Sequence, residues 1–155
     1  MITILSGPIH SGKTTKLLQW AEKIPDRSGI ATPVQNGLKV LYDLSEKKYY
    51  PFQTDDNTTT PKDCITIGAY RFLNSAFIIG RQILSLAAQR NPSWLIIDEL
   101  GPLELRGQGW EPVAGQIINQ YLSHQKNSDL ILVIRENILP EALTHYGITE
   151  YTLFE

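Results

Sequence analysis

The segment Gly7-Pro8-Ile9-His10-Ser11-Gly12-Lys13-Thr14 fits the pattern G-x-x-x-x-G-K-[ST]. Its glycines let a short loop wrap so that successive backbone N–H groups face one anion at the positive end of a helix dipole. In such a loop Lys13 reaches the β- and γ-phosphates of a nucleotide, Thr14 ligates Mg²⁺, and Thr15 bonds the α-phosphate. An ordinary glycine-rich turn would explain the bend but not a lysine directly after Gly12. The expected phosphate-contacting set is Gly7, Pro8, Ile9, His10, Ser11, Gly12, Lys13, Thr14 and Thr15.

A second feature points the same way. Trp94-Leu95-Ile96-Ile97-Asp98-Glu99 sets two carboxylates at the end of an apolar run, where open α/β sheets place their ligands. An Asp there can hold the metal shell of a bound triphosphate. A Glu after it can polarise an attacking water. A solvated pair at a strand end is the plainer reading, but a cation between phosphates and carboxylate settles both charges at once. Asp98 is therefore assigned to metal, with Thr14, and Glu99 to water.

Phosphoryl transfer also gains from an arginine facing the γ-phosphate. Arg135 follows the apolar run Leu130–Ile134 and emerges at the same sheet edge as Asp98, so it leads Arg106 and Arg71. His10 reads as solvent-facing, and His124 and His145 as surface residues without ligand partners. Trp20, Trp94 and Trp110 read first as core, and no aromatic is singled out for stacking on a base. Where guanine-reading loops carry Asn-Lys-x-Asp, this chain has Arg135-Glu136-Asn137-Ile138, which disfavours a regulatory GTPase.

The elements that must position these groups follow from periodicity. Ile2–Leu5 reads as a strand ending at Ser6-Gly7-Pro8, and residues 13–24 as a helix through Leu17, Leu18, Ala21 and Ile24. Residues 29–53 read as an antiparallel meander turning at Asn36-Gly37 and again at Glu46–Lys48. The apolar-free stretch 55–62 reads as a surface loop. A strand over 65–72, a helix over 74–90, strands at 94–98 and 130–134, helices over 110–125 and 140–146, and a strand over 148–154 complete the chain. All-apolar strands alternating with helices predict a mostly parallel sheet covered on both faces. The expected fold is a single α/β domain over 1–155, a three-layer sandwich of P-loop type with the meander inserted.

Composition bounds the alternatives. The chain has 155 residues, with 14 Lys plus Arg against 16 Asp plus Glu, a net charge of −2. That balance argues against a dedicated nucleic-acid binder, which needs a basic face. Hydrophobic residues at 42% allow a packed core. The lone Cys64 excludes an internal disulfide and a cysteine-rich metal site, and reads as inert. No apolar run approaches membrane-spanning length and no signal peptide is evident, so a soluble, cytoplasmic protein is expected.

The loop Gly7–Thr15, with its double threonine, and the run Asp98-Glu99-Leu100-Gly101-Pro102-Leu103-Glu104 together resemble the THEP1-like nucleoside-triphosphatase family of P-loop proteins. That family's second motif reads Asp-Glu-Ile-Gly-x-x-Glu, and the order of elements matches over nearly the whole chain. The resemblance implies slow, Mg²⁺-dependent hydrolysis of ATP, GTP and other triphosphates with little base selectivity. It implies phosphate and metal roles for Gly7, Gly12, Lys13, Thr14 and Thr15, and catalysis by Asp98 and Glu99. Gly101 and Glu104 would shape the following loop. The chain departs from the family at His10-Ser11, where a further glycine is common, at Pro102, and at Val40-Leu41-Tyr42-Asp43 in the meander. Two other functions keep the same site: a small-molecule or nucleotide kinase, and a nucleotide-sensing module with little turnover. The arginine-free 55–62 stretch counts against a kinase lid.

Overall fold

The computed structural model describes residues 1–56 and 62–155. The first strand, β1 (Ile2–Gly7), runs through the loop into α1 (Lys13–Ala21). A β-rich stretch follows: β2 (Arg27–Ala31), β3 (Val34–Gln35), β4 (Leu38–Asp43), β5 (Lys48–Pro51), β6 (Gln53–Thr54), β7 (Cys64–Ile67) and β8 (Tyr70–Leu73). Helix and strand then alternate through α2 (Asn74–Arg90), β9 (Trp94–Leu100), the single turn α3 (Pro102–Leu105), α4 (Val113–Leu122), β10 (Asp129–Arg135), α5 (Leu139–Tyr146) and β11 (Thr152–Leu153).

The main sheet has eight strands in the order β11-β1-β10-β9-β2-β4-β3, with β5 pairing β4. From β11 to β2 every pair is parallel, and the pairs made by β4 are antiparallel. The period-two alternation of the strands divides the core. Leu5, Ile96, Ile131 and Val133 face Leu17 and Ala21 of α1. Ile4, Leu95, Ile97, Leu130, Leu132 and Ile134 face the opposite way, into the cluster containing Ala76, Leu84, Ile117 and Ala142 of α2, α4 and α5. Leu95, Ile96 and Ile97 are all fully buried, each contributing about 2 kcal/mol of apolar burial. The predicted three-layer α/β sandwich is the observed fold.

Four element boundaries differ from the sequence reading, each for a local reason. The run 29–34 is split by Pro33: β2 pairs antiparallel with β4 as expected but also joins the parallel sheet beside β9, and β3 forms the turn end of the hairpin with β4. Asn36 and Gly37 turn that hairpin with φ of 52° and 81°. The single strand expected over 65–72 is a hairpin instead, because Gly68 turns the chain with φ 59° and sends β8 back along β7. Together with β6 these strands make a separate three-stranded sheet. The helix expected from Trp110 starts only at Val113, after Pro112. The last strand is confined to Thr152–Leu153. Most of the expected 55–62 loop lies outside the described residues.

Gly29 is where β2 meets β9 most closely. It has φ 118°, and a Cβ there would stand 2.0 Å from the Ile96 carbonyl oxygen. The Gly29→Ala variant is therefore expected to lose on the order of 3 kcal/mol, combining backbone strain with overpacking. The denaturation midpoint in urea measures it; an unchanged midpoint would mean the sheet separates here at no cost.

Candidate nucleotide site

The loop between β1 and α1 is bent by two left-handed residues, His10 at φ 61° and Gly12 at φ 78°. His10 thus holds, as a non-glycine, a conformation that glycine adopts more readily. Residues 8–12 are exposed. The Lys13 ammonium folds back over the loop, donating to the carbonyls of Pro8 (2.6 Å) and Gly7 (3.3 Å) and to Ser11 Oγ (3.4 Å). Thr15 stands exposed on the first turn of α1.

Asp98 lies two strands from β1, with β10 between, yet the fold brings it to the loop. Thr14 Oγ1 donates to Asp98 Oδ2 at 2.9 Å across 84 residues of sequence. The same oxygen accepts from the Thr32 backbone N–H at 2.9 Å and from Thr32 Oγ1 at 3.3 Å. Its twin, Oδ1, is buried without a hydrogen-bond partner among the described residues. An orphaned carboxylate oxygen is costly unless a ligand satisfies it. Burial, with the neighbouring Glu99 charge, raises the Asp98 carboxyl to about 6 against the pull of the Thr32 and Thr14 donors.

Glu99 is half-buried, with its backbone in the left-handed region at φ 64°. That uncommon conformation at a strand end turns its side chain into a different company from that of Asp98. Lys39 Nζ on β4 donates to Oε1 at 2.8 Å, and an Arg135 guanidinium nitrogen lies 3.6 Å from Oε2. Burial pushes the Glu99 carboxyl up, but the Lys39 ammonium, with Arg135 and Lys13 behind it, outweighs burial and holds it below its ordinary range.

Of the three arginines raised from sequence, Arg135 therefore reaches the Glu99 group. Arg106 turns back onto the Pro102 carbonyl at 3.2 Å, and Arg71 donates to the Asp56 carbonyl at 2.6 Å. Thr32 and Lys39 were not legible from sequence. Thr32 is one of many threonines at a strand end, and Lys39 sits in a strand whose alternation marks it as an ordinary surface lysine. His10 is exposed as expected, but it also lines a cavity beside Glu99. Trp20 and Trp94 pack edge to face at 4.8 Å, and Trp20 meets Phe154 in the same way at 5.4 Å.

The loop after β9 is built on Glu104, which is almost wholly buried. Its Oε1 accepts from the Gly101 N–H at 2.8 Å and its Oε2 from the Trp110 N–H at 3.1 Å. Only glycine fits at 109, because a Cβ there would lie 1.7 Å from Glu104 Oε2. Burial raises the Glu104 carboxyl from 4.5 to about 7, partly offset by the donated N–H groups. A raised acid binds its proton more tightly in the folded state, so its contribution is full below about pH 4.5 and lost as pH rises through 7. Relative to Glu104→Gln, the native chain should lose on the order of 3 kcal/mol over that window. Urea midpoints of both proteins across the window test this; parallel profiles would contradict it.

Among the described residues no helix is long and apolar enough to cross a membrane. No protein-family model and no curated protein matches the sequence. Solved structures do match. THEP1 from the hyperthermophile Aquifex aeolicus superposes with a TM-score of 0.76 at 23% identity, covering 100% of this chain and 89% of that one. A human cancer-related nucleoside triphosphatase superposes with a TM-score of 0.62 at 22% identity, covering 99% of this chain and 87% of its own. Over its whole length, then, this chain has the fold of THEP1, the P-loop α/β architecture to which its two motifs pointed.

Proposed function

We propose that the protein is a Mg²⁺-dependent nucleoside triphosphatase with little selectivity for the base. The observation that carries this reading is the 2.9 Å contact between Thr14 and Asp98, with Asp98 Oδ1 buried beside it and unpartnered. A hydroxyl and a carboxylate are oxygen donors of the kind Mg²⁺ accepts alongside phosphate oxygens. Thr14 and Asp98 would hold the ion, which when bound neutralises charge on the β- and γ-phosphates. The backbone of residues 7–15 would cradle the triphosphate, with the Lys13 ammonium transferred from the Pro8 and Gly7 carbonyls to phosphate oxygens.

Glu99, held ionised by Lys39, would orient a water and accept its proton. Arg135, already beside Glu99, would face the charge that develops on the transferred phosphoryl group. The likeness to two solved structures, one of them a human cancer-related nucleoside triphosphatase, supports hydrolysis as the reaction. Low base selectivity is supported by Arg135–Ile138 standing where guanine-reading loops carry their motif. The net charge of −2 supports a nucleotide rather than a nucleic acid as ligand.

Phosphate release from ATP, GTP, CTP and UTP, with Mg²⁺ and with excess chelator, tests the reading. All four are expected to turn over within about tenfold of one another, since Arg135–Ile138 stands in place of a guanine-reading motif. Chelator is expected to abolish release. Release that survives chelation would remove the metal from the scheme, and tight binding without release would favour a nucleotide sensor.

A further inference from the structure

A cavity of about 600 Å³ opens beside Glu99, between the loop after β1, the β3–β4 hairpin and the small sheet. Its inner wall is aromatic. The Phe52 ring lies 4.8 Å from Phe72, 5.2 Å from Phe77 and 5.6 Å from Trp110, centroid to centroid. Its mouth is apolar too: Ile9, Val34 and Tyr70 line it although 49%, 63% and 54% exposed. Charged groups able to meet a ligand gather at one end, where Lys39, Glu99 and Arg135 form their ion pairs. The Glu104 oxygens also reach the wall but are already engaged by Gly101 and Trp110. A volume of this size with an aromatic wall and a few polar groups, His10 and Gln53 besides the charged cluster, has the anatomy of a small-molecule site.

The position of the cavity relative to the phosphates limits what enters it. Glu99 lines it, whereas Lys13, Thr14 and Thr15 do not. Ile9 and His10 of the loop line it as well, so with a triphosphate held as proposed it would begin on the Glu99 side of the terminal phosphate, away from Thr15. A nucleotide in the loop would leave it open. An anionic ligand would be repelled by the terminal phosphate, and a purely apolar one would cut the remaining donors and acceptors of the paired Lys39–Glu99–Arg135 cluster off from water. A hydroxyl both donates and accepts, so it satisfies Glu99 and Lys39 together.

We infer that this cavity binds a small aromatic alcohol while the loop holds a nucleotide, with its ring on Phe52, Phe72, Phe77 and Trp110 and its hydroxyl at Lys39, Glu99 and Arg135. The inference rests on the phosphate-binding reading above. Such a ligand would occupy the place proposed above for the water beside Glu99.

The test uses the full chain and 2-naphthalenemethanol as the probe, followed by titration calorimetry with and without a saturating non-hydrolysable ATP analogue and Mg²⁺. Saturable binding is expected in both conditions, with affinities within about threefold of each other. At saturating ATP the probe should depress phosphate release without changing KM. Val34→Trp, which fills the mouth from an exposed edge position, should weaken the probe at least about tenfold. Tyr49→Ala, an exposed aromatic outside the cavity, should leave its affinity unchanged.

Competition between probe and analogue would show that the cavity takes the base, and would overturn the proposal. So would absent saturable binding, or equal affinity in Val34→Trp. Tighter binding of 2-naphthoate than of the alcohol in the presence of the analogue would refute the alcohol class. Failure of the analogue itself to bind would sink the nucleotide reading, and with it simultaneous occupancy. That outcome is separable, because the probe alone still reports on the cavity.

Discussion

Glu99→Gln is expected to bind nucleotide as the native chain does and to release phosphate about 10²–10⁴ times more slowly, the usual contribution of a positioned base. The amide keeps the size of the side chain and an oxygen able to accept from Lys39, so the geometry at the end of β9 survives. What disappears is the negative charge that Lys39 at 2.8 Å and Arg135 at 3.6 Å hold in place. Single-turnover phosphate release beside a binding titration separates the two effects. Loss of affinity in parallel with turnover would mean that Glu99 acts by organising Lys39 and Arg135 rather than by handling a proton. Unaltered turnover would remove it from the reaction.

Lys13→Ala should cost affinity rather than rate. The ammonium sits on the carbonyls of Pro8 and Gly7 at 2.6 and 3.3 Å, ready to be exchanged for phosphate oxygens without a new backbone arrangement. Removing a charge that meets phosphate in a partly enclosed loop costs several kcal/mol, so the Kd for MgATP is expected to rise about a hundredfold or more. Residues 8–12 are exposed and the Lys13 ammonium bonds Gly7, Pro8 and Ser11 of that same loop, so the thermal midpoint should stay where it is. A variant that retains native affinity would show that the cradle of backbone amides alone carries the binding. One that unfolds would show instead that the lysine holds the loop together.

These two residues were visible in the sequence for different reasons. Lys13 belongs to a continuous motif whose function depends on chain neighbours, so its spacing is its signal. Glu99 was visible because a short all-apolar run fits a doubly covered strand, and open α/β sheets place ligands at the end of such a strand, where this carboxylate stands. Arg135 followed from the same logic on β10, and the structure brings it to Glu99 where Arg106 and Arg71 go elsewhere.

The hairpin at Gly68 was hidden because a glycine inside a β-rich run is compatible with either a bulge or a reversal. The loop built on Glu104 was legible only as a likeness between motifs. Its physics, a buried carboxylate binding two N–H groups against Gly109, depends on groups that spacing does not connect.

From the order of residues alone came the Gly7–Thr14 loop pattern, the carboxylate pair and the layered parallel architecture, since each is written in short-range spacing or in the periodicity of burial. Tertiary structure alone decided that Thr32 would fasten Asp98 from 66 residues away and Lys39 would pair with Glu99 from 60. It also decided that four aromatic rings from distant segments would wall one cavity next to them. Which strand lies beside which is settled by the packing of the sheet as a whole, and no local stretch of chain carries that information.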